Sequence, residues 1–172
     1  SSTHSGWNTS RKEPGASNKL KDTILNMTAT KPVLILQLRP EDVISDSEYT
    51  RFLKYGQLQA ADTYRLRIES EGLPDNLSLD RYSAIIVGGS PFDISTPKDN
   101  KTNIQKKIEA DFNRLLKQVV EQDFPFLGAC SGNGLLGNYL GTGISTRYGE
   151  AVGCVTLDIT KAGRQDILLQ GL

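Results

Sequence analysis

Phe124-Pro-Phe-Leu-Gly-Ala-Cys-Ser-Gly132 joins an apolar run to a tight turn and the first residues of a helix. Phe124 to Ala129 reads as a short strand, and Leu135 to Leu140 begins a helix. A strand-to-helix turn tight enough to expose Cys130 forces the side chains two before and two after it into neighbouring backbone. Glycine at 128 and at 132 relieves that crowding, as in the serine nucleophile elbow. Such a turn sets the Cys130 sulfur at the helix N-terminus, where the dipole favours a thiolate. It also turns the Ser131 N–H toward the sulfur, where it would stabilise an oxyanion. Taken alone, the pentapeptide fits equally a small buried cysteine in a glycine-rich turn, since free cysteine is among the most buried residue types. Ser131 lacks the flanking glycine spacing of a serine nucleophile.

Working outward, the same strand-and-helix alternation continues. Val33-Leu-Ile-Leu-Gln-Leu38 is a continuous apolar run, the pattern of a strand covered on both faces, and Pro40 ends it. From Ser45 to Ala60 the positions Tyr49, Phe52, Leu53 and Ala60 follow a helical period, with Ser45 or Ser47 as cap. Tyr64 to Ile68 alternates and reads as a second strand, and Pro74 to Asp80 as a loop. Tyr82 to Val87 is a third buried strand that runs into Gly88-Gly89-Ser90-Pro91. Thr102 to Gln122 sets Ile104, Ile108, Phe112, Leu115, Leu116 and Val119 on one helical face and charges on the other. Ala151 to Ile159 reads as a further strand, with Cys154 in its core. Strands alternating with amphipathic helices imply βαβ units. The expected fold is therefore α/β, a three-layer sandwich around a mostly parallel, flavodoxin-like sheet.

In parallel sheets ligands collect beyond the carboxyl ends of the strands, where the Gly88–Pro91 loop and the cysteine turn both lie. Glycines let backbone N–H groups face a site unobstructed, so Gly89 is a candidate second oxyanion donor. Lys+Arg and Asp+Glu both total 20, a zero formal charge that argues against nucleic acid or an anionic membrane as the default partner. No apolar run approaches the length needed to span a bilayer, and no signal-peptide core is visible. Two cysteines make no disulfide scaffold, so a reducing, cytoplasmic setting is expected. No ligand cluster suggests a metal, and no glycine pattern matches a dinucleotide or phosphate loop; no cofactor is expected. Residues 1–30 are rich in Ser, Thr, Asn and Lys without periodicity and read as a flexible leader or added arm before a domain at 31–172. Met27 is a candidate natural start.

At this point the chain resembles the class I glutamine amidotransferases, whose glutaminase domain is also fused to guanosine monophosphate synthase. The resemblance rests on Ile85-Ile-Val-Gly-Gly-Ser90 as oxyanion strand and loop, and on Phe124 to Gly132 as cysteine elbow. Leu135-Leu136, Tyr148-Gly-Glu150 and Asp166 to Leu172 follow in the expected order. It implies hydrolysis of glutamine through a Cys130 thioester, with ammonia passed to a synthase domain or subunit. It also implies Gly89 and Ser131 amides as the oxyanion hole, and Gly88, Ser90, Asn133 and Glu150 as substrate-binding positions. Arg147 and Tyr148 are candidates for the site mouth. Two departures stand out. Gly134 occupies a position where the family usually has glutamine, and the family's C-terminal histidine and glutamate have no counterpart, since the one histidine is His4. The chain is therefore expected to represent the N-terminal part of such a domain. The other functions weighed are a non-catalytic domain of this fold and a cysteine hydrolase acting on another amide or ester.

Overall fold

The structure is a computed structural model describing residues 30–145, 147, 153–154 and 156–169. Four strands form one all-parallel sheet in the order β2-β1-β3-β4. They are β1 (Val33–Gln37), β2 (Thr63–Arg67), β3 (Ala84–Val87) and β4 (Phe126–Gly128). Register pairs Val33 with both Thr63 and Ala84, and Ile85 with Phe126.

One face of the sheet carries the core. Leu34 and Leu36 of β1, Leu66 of β2, and Ile85 and Val87 of β3 alternate onto this face. They pack on α3 (Asn103–Glu121) through Ile108, Phe112, Leu115, Leu116 and Val119, all buried. Thr102 caps α3, its hydroxyl accepting from the Gln105 N–H at 3.2 Å. Ile104, placed on the apolar face by periodicity, stands 41% exposed in the first turn, ahead of the sheet contact. The short α2 (Ile68–Glu71) leaves β2 directly and buries Ile68 beside α3. The helix of the cysteine turn, α4 (Ser131–Tyr139), lies on the same face, with Leu135 in the core.

The opposite face is met by α1 (Asp42–Tyr55), whose buried residue is the polar Ser45, while Leu127 of β4 stands 58% exposed on that side. Gln37 is fully buried among aliphatic neighbours and donates through Nε2 to the Ser45 carbonyl at 2.7 Å. Arg65 donates through Nε to Gln37 Oε1 at 2.5 Å and through Nη2 to Ser45 Oγ at 2.9 Å. This explains why the helix begins earlier than apolar periodicity predicts. Glu41, not a serine, is the N-cap residue, and Ser45 sits one turn inside as a buried hydrogen-bonding group. The helix also ends at Tyr55, short of Ala60, which falls in a separate 3-10 turn.

The three-layer α/β expectation holds. The strand expected over 151–159 does not appear at residues 153–154 and 156–159, which pair with no ladder. Its alternation is real, yet Leu157 is 81% exposed, and a strand needs a partner to satisfy its backbone. Cys154, expected in the core of that strand, is exposed. Residues 1–29, with His4 and Met27, and the Tyr148–Glu150 segment lie outside the described residues.

Candidate active site

The site forms at the carboxyl edge of the sheet, where ladder bonds run to its border. The Gly88 N–H donates to the Leu36 carbonyl and the Ala129 N–H to the Val87 carbonyl, each at 2.9 Å. These bonds bring the segments after β1, β3 and β4 together. Sheet order reverses between β1 and β3, the switch point at which open parallel sheets bind ligands.

Cys130 stands between β4 and α4 with φ 53° and ψ −107°, a backbone conformation that costs a non-glycine residue about 1–3 kcal/mol. It is exposed. That answers the alternative the pentapeptide left open, because a buried structural thiol needs neither exposure nor strain. Both flanking glycines are sterically required. A Cβ on Gly128 would fall 2.5 Å from the Gly132 carbonyl carbon and 2.6 Å from the Asn133 nitrogen. One on Gly132 would fall 2.8 Å from Val87 Cβ and 2.9 Å from the Val87 carbonyl oxygen. The turn can be this tight only because strand, elbow and helix backbones touch.

Ser131 is the first residue of α4, and among the described residues its N–H has no acceptor, as expected at a helix N-terminus. Its side chain is buried and fixes the neighbouring loop. Ser131 Oγ accepts from the Ser90 N–H at 3.0 Å and lies 2.8 Å from Ser90 Oγ, which accepts from the Phe92 N–H at 3.1 Å. Farther along, Gln105 Nε2 donates to the Asp93 carbonyl at 2.8 Å and Lys101 Nζ to the Ile94 carbonyl at 3.1 Å. The loop after β3 is thus fastened to the elbow at one end and to α3 at the other. Asp93 within it has its carboxyl held below the usual range by hydrogen bonds from the Ser95 hydroxyl and N–H.

The Gly89 N–H is already engaged. It donates to Glu48 Oε1 of α1 at 2.9 Å, and Arg39 Nε donates to the same oxygen at 3.2 Å. Gln37 Nε2 holds the other carboxylate oxygen at 2.9 Å. Cys130 opens onto two clefts. One of about 510 Å³ is lined by Arg39, Glu48, Arg51, Phe52 and Gly89; the other, about 380 Å³, by Ser90, Phe92, Ile94, Ser131 and Gly134.

Of the positions singled out in the sequence, Cys130, Gly88, Gly89, Ser90 and Ser131 converge here. Asn133 is exposed on α4 and lines neither cleft; Arg147 is also exposed and lines neither. Glu150 is outside the described residues. Sequence reasoning missed Arg39, Glu48, Arg51 and the buried Gln37. A glutamine inside a run of aliphatics was the one available hint, since a buried amide must find partners. Among the described residues no group of acidic, cysteine or histidine side chains could hold a metal, and no helix is long and apolar enough to cross a membrane. Comparison of the chain with protein-family models, with curated proteins and with solved structures finds no match.

Proposed function

We propose that this domain hydrolyses the side-chain amide of glutamine in the manner of a class I amidotransferase, with Cys130 as nucleophile. The observation that carries the reading is the strained, exposed cysteine in a glycine-clamped elbow, one strand from a glycine loop at the sheet's carboxyl edge. Cys130 Sγ attacks the carboxamide carbon, the carbonyl electron pair moves to oxygen, and as that oxyanion collapses the proton given up by the thiol passes to the departing nitrogen, which leaves as ammonia with a thioester behind. Water then cleaves the thioester to glutamate. The Ser131 amide, and the Gly89 amide once Glu48 releases it, stabilise both oxyanions, at roughly 3 kcal/mol for each donor. Ser90, held by Ser131, orders the loop that carries Gly89.

In the family this reading follows, the proton carrier is a histidine, and none stands among the described residues, the sequence's one histidine being His4. A polypeptide of residues 1–172 alone is therefore expected to turn glutamine over at least ~10²-fold more slowly than one with a histidine base at Cys130. Ammonia goes to an acceptor domain or subunit, and the two free cysteines fit a cytoplasmic setting. The test is ammonia release from glutamine by the protein with its native termini, compared with Cys130→Ser. Turnover abolished by the substitution supports the reading, and no turnover by the folded protein rejects it. A second reading, a non-catalytic domain of the same fold, is favoured by the Glu48 carboxylate on the Gly89 amide; the same assay decides between the two.

A further inference from the structure

We infer that the Gly89 N–H and the Arg39 guanidinium together form an oxyanion site beside Cys130, and that Glu48 masks it in the resting protein. Two donors from the segments that follow β1 and β3 converge on one oxygen, Glu48 Oε1: Gly89 N at 2.9 Å and Arg39 Nε at 3.2 Å. A carboxylate oxygen and a tetrahedral oxyanion ask for the same thing, hydrogen-bond donors aimed at concentrated negative charge. The protein's own carboxylate thus occupies a place suited to a reacting carbonyl oxygen. That place adjoins the nucleophile, since a Cβ on Gly89 would lie 3.6 Å from Cys130 Cβ and 2.6 Å from Arg39 Nη2.

Arg39 is held from behind. Arg67 Nη2 donates to the Arg39 and Pro40 carbonyls at 3.0 Å each, and Arg67 is itself braced by Glu69 at 2.6 Å and by Asp42. The segment after β1 is therefore a fixed platform. Glu48 reaches the site through its own side chain from α1, where Gln37 Nε2 also holds it at 2.9 Å, and it lines the larger cleft, into which it can withdraw. A substrate carbonyl entering that cleft exchanges places with it. Arg39 then adds a charged donor to the two backbone amides.

This inference rests on the reading of Cys130 as a nucleophile toward carbonyl carbon, but its test needs no glutamine turnover. The probe is butanal in a Cys154→Ser background. The Cys130 thiol adds to the aldehyde carbon, the carbonyl electron pair moves to oxygen, and the thiol proton passes through water to that oxygen, leaving a hemithioacetal. Its dissociation constant is read as protection of Cys130 from iodoacetamide, counted by intact-protein mass spectrometry. Iodoacetamide alkylation expels iodide and sets no tetrahedral carbon–oxygen group against the donors, so its rate alone reports the thiol. Unmasking by Glu48→Ala is expected to tighten butanal at least about tenfold beyond any change in alkylation rate. Glu48→Gln, which keeps the side chain's shape, gives a smaller gain in the same direction and serves if the alanine variant does not fold. Adding Arg39→Gln abolishes the gain. Unchanged or weaker aldehyde capture in a folded Glu48 variant, or a gain matched by alkylation, overturns the masking. A gain that survives Arg39→Gln overturns the role of Arg39. Tightening without glutamine turnover by the native protein leaves this inference standing and removes the glutaminase; turnover without tightening does the reverse.

Discussion

Substituting Gly128 by alanine tests the elbow at its tightest contact. The new methyl would meet the Gly132 carbonyl carbon at 2.5 Å, the Asn133 nitrogen at 2.6 Å and the Gly132 carbonyl oxygen at 2.7 Å. All three are backbone atoms of α4, so no side chain can rotate away, and relief requires the helix to shift from the sheet. Overpacking of this kind costs about 1–3 kcal/mol, and immovable neighbours place it at the upper end. Removing a glycine from the unfolded chain returns about 0.4–1 kcal/mol. The net loss is about 2–2.6 kcal/mol, a fall in Tm of roughly 4–10 °C for a chain of this size. At Gly132 the alanine meets Val87 instead, at 2.8 Å, while gaining about 1 kcal/mol of helix propensity; a net loss of about 1 kcal/mol follows. Gly143 has nothing within 4 Å of a built Cβ, so Gly143→Ala sets the baseline, neutral within about 0.5 kcal/mol. Thermal and urea unfolding of the three variants should rank them 128, 132, 143 from most to least destabilised. A Gly128→Ala protein melting within about 1 °C of the parent would refute the steric account of the elbow.

Two further outcomes are expected. Cys130→Gly relieves the φ 53° backbone, worth about 1–3 kcal/mol, against about 0.5–1 kcal/mol for the freer unfolded chain; the urea midpoint should rise, and Cys130→Ala should show no comparable gain. Burial pushes the Tyr82 phenol above its ordinary range near pH 10, so its contribution is complete below that pH and is lost as pH rises through the higher folded value. Unfolding free energies measured from pH 8 to 12 should therefore decline more steeply for the parent than for Tyr82→Phe, and identical slopes would contradict this.

The elbow was legible in the sequence because its constraint is local. Glycines two before and two after a cysteine describe one turn, and the contacts at Gly128 and Gly132 are those the spacing demands. The long helix was legible because its apolar face follows a single period, from Ile108 through Phe112, Leu115 and Leu116 to Val119, all buried. The α1 helix was read poorly because its buried face is polar. Ser45 is satisfied by Gln37 and Arg65 on two other elements, and no periodicity in one segment encodes such a partnership. Glu48 was invisible for the same reason, its three donors coming from Gln37, Arg39 and Gly89. Residues 151–159 carry strand-like alternation, but pairing belongs to the ladder rather than to the segment. Periodicity located the scaffold; the polar contacts that set the site's resting state arise only once distant strands are side by side.

The most direct measurement of the central claim is labelling by a glutamine-shaped electrophile. The protein with its native termini is incubated with 6-diazo-5-oxonorleucine, and the adduct is mapped by peptide mass spectrometry, with Cys130→Ser and Cys154→Ser as controls. One adduct on Cys130, lost in Cys130→Ser, kept in Cys154→Ser and suppressed by excess glutamine, is the expected result. A folded protein that takes no label at Cys130, or labels Cys154 equally, would contradict it.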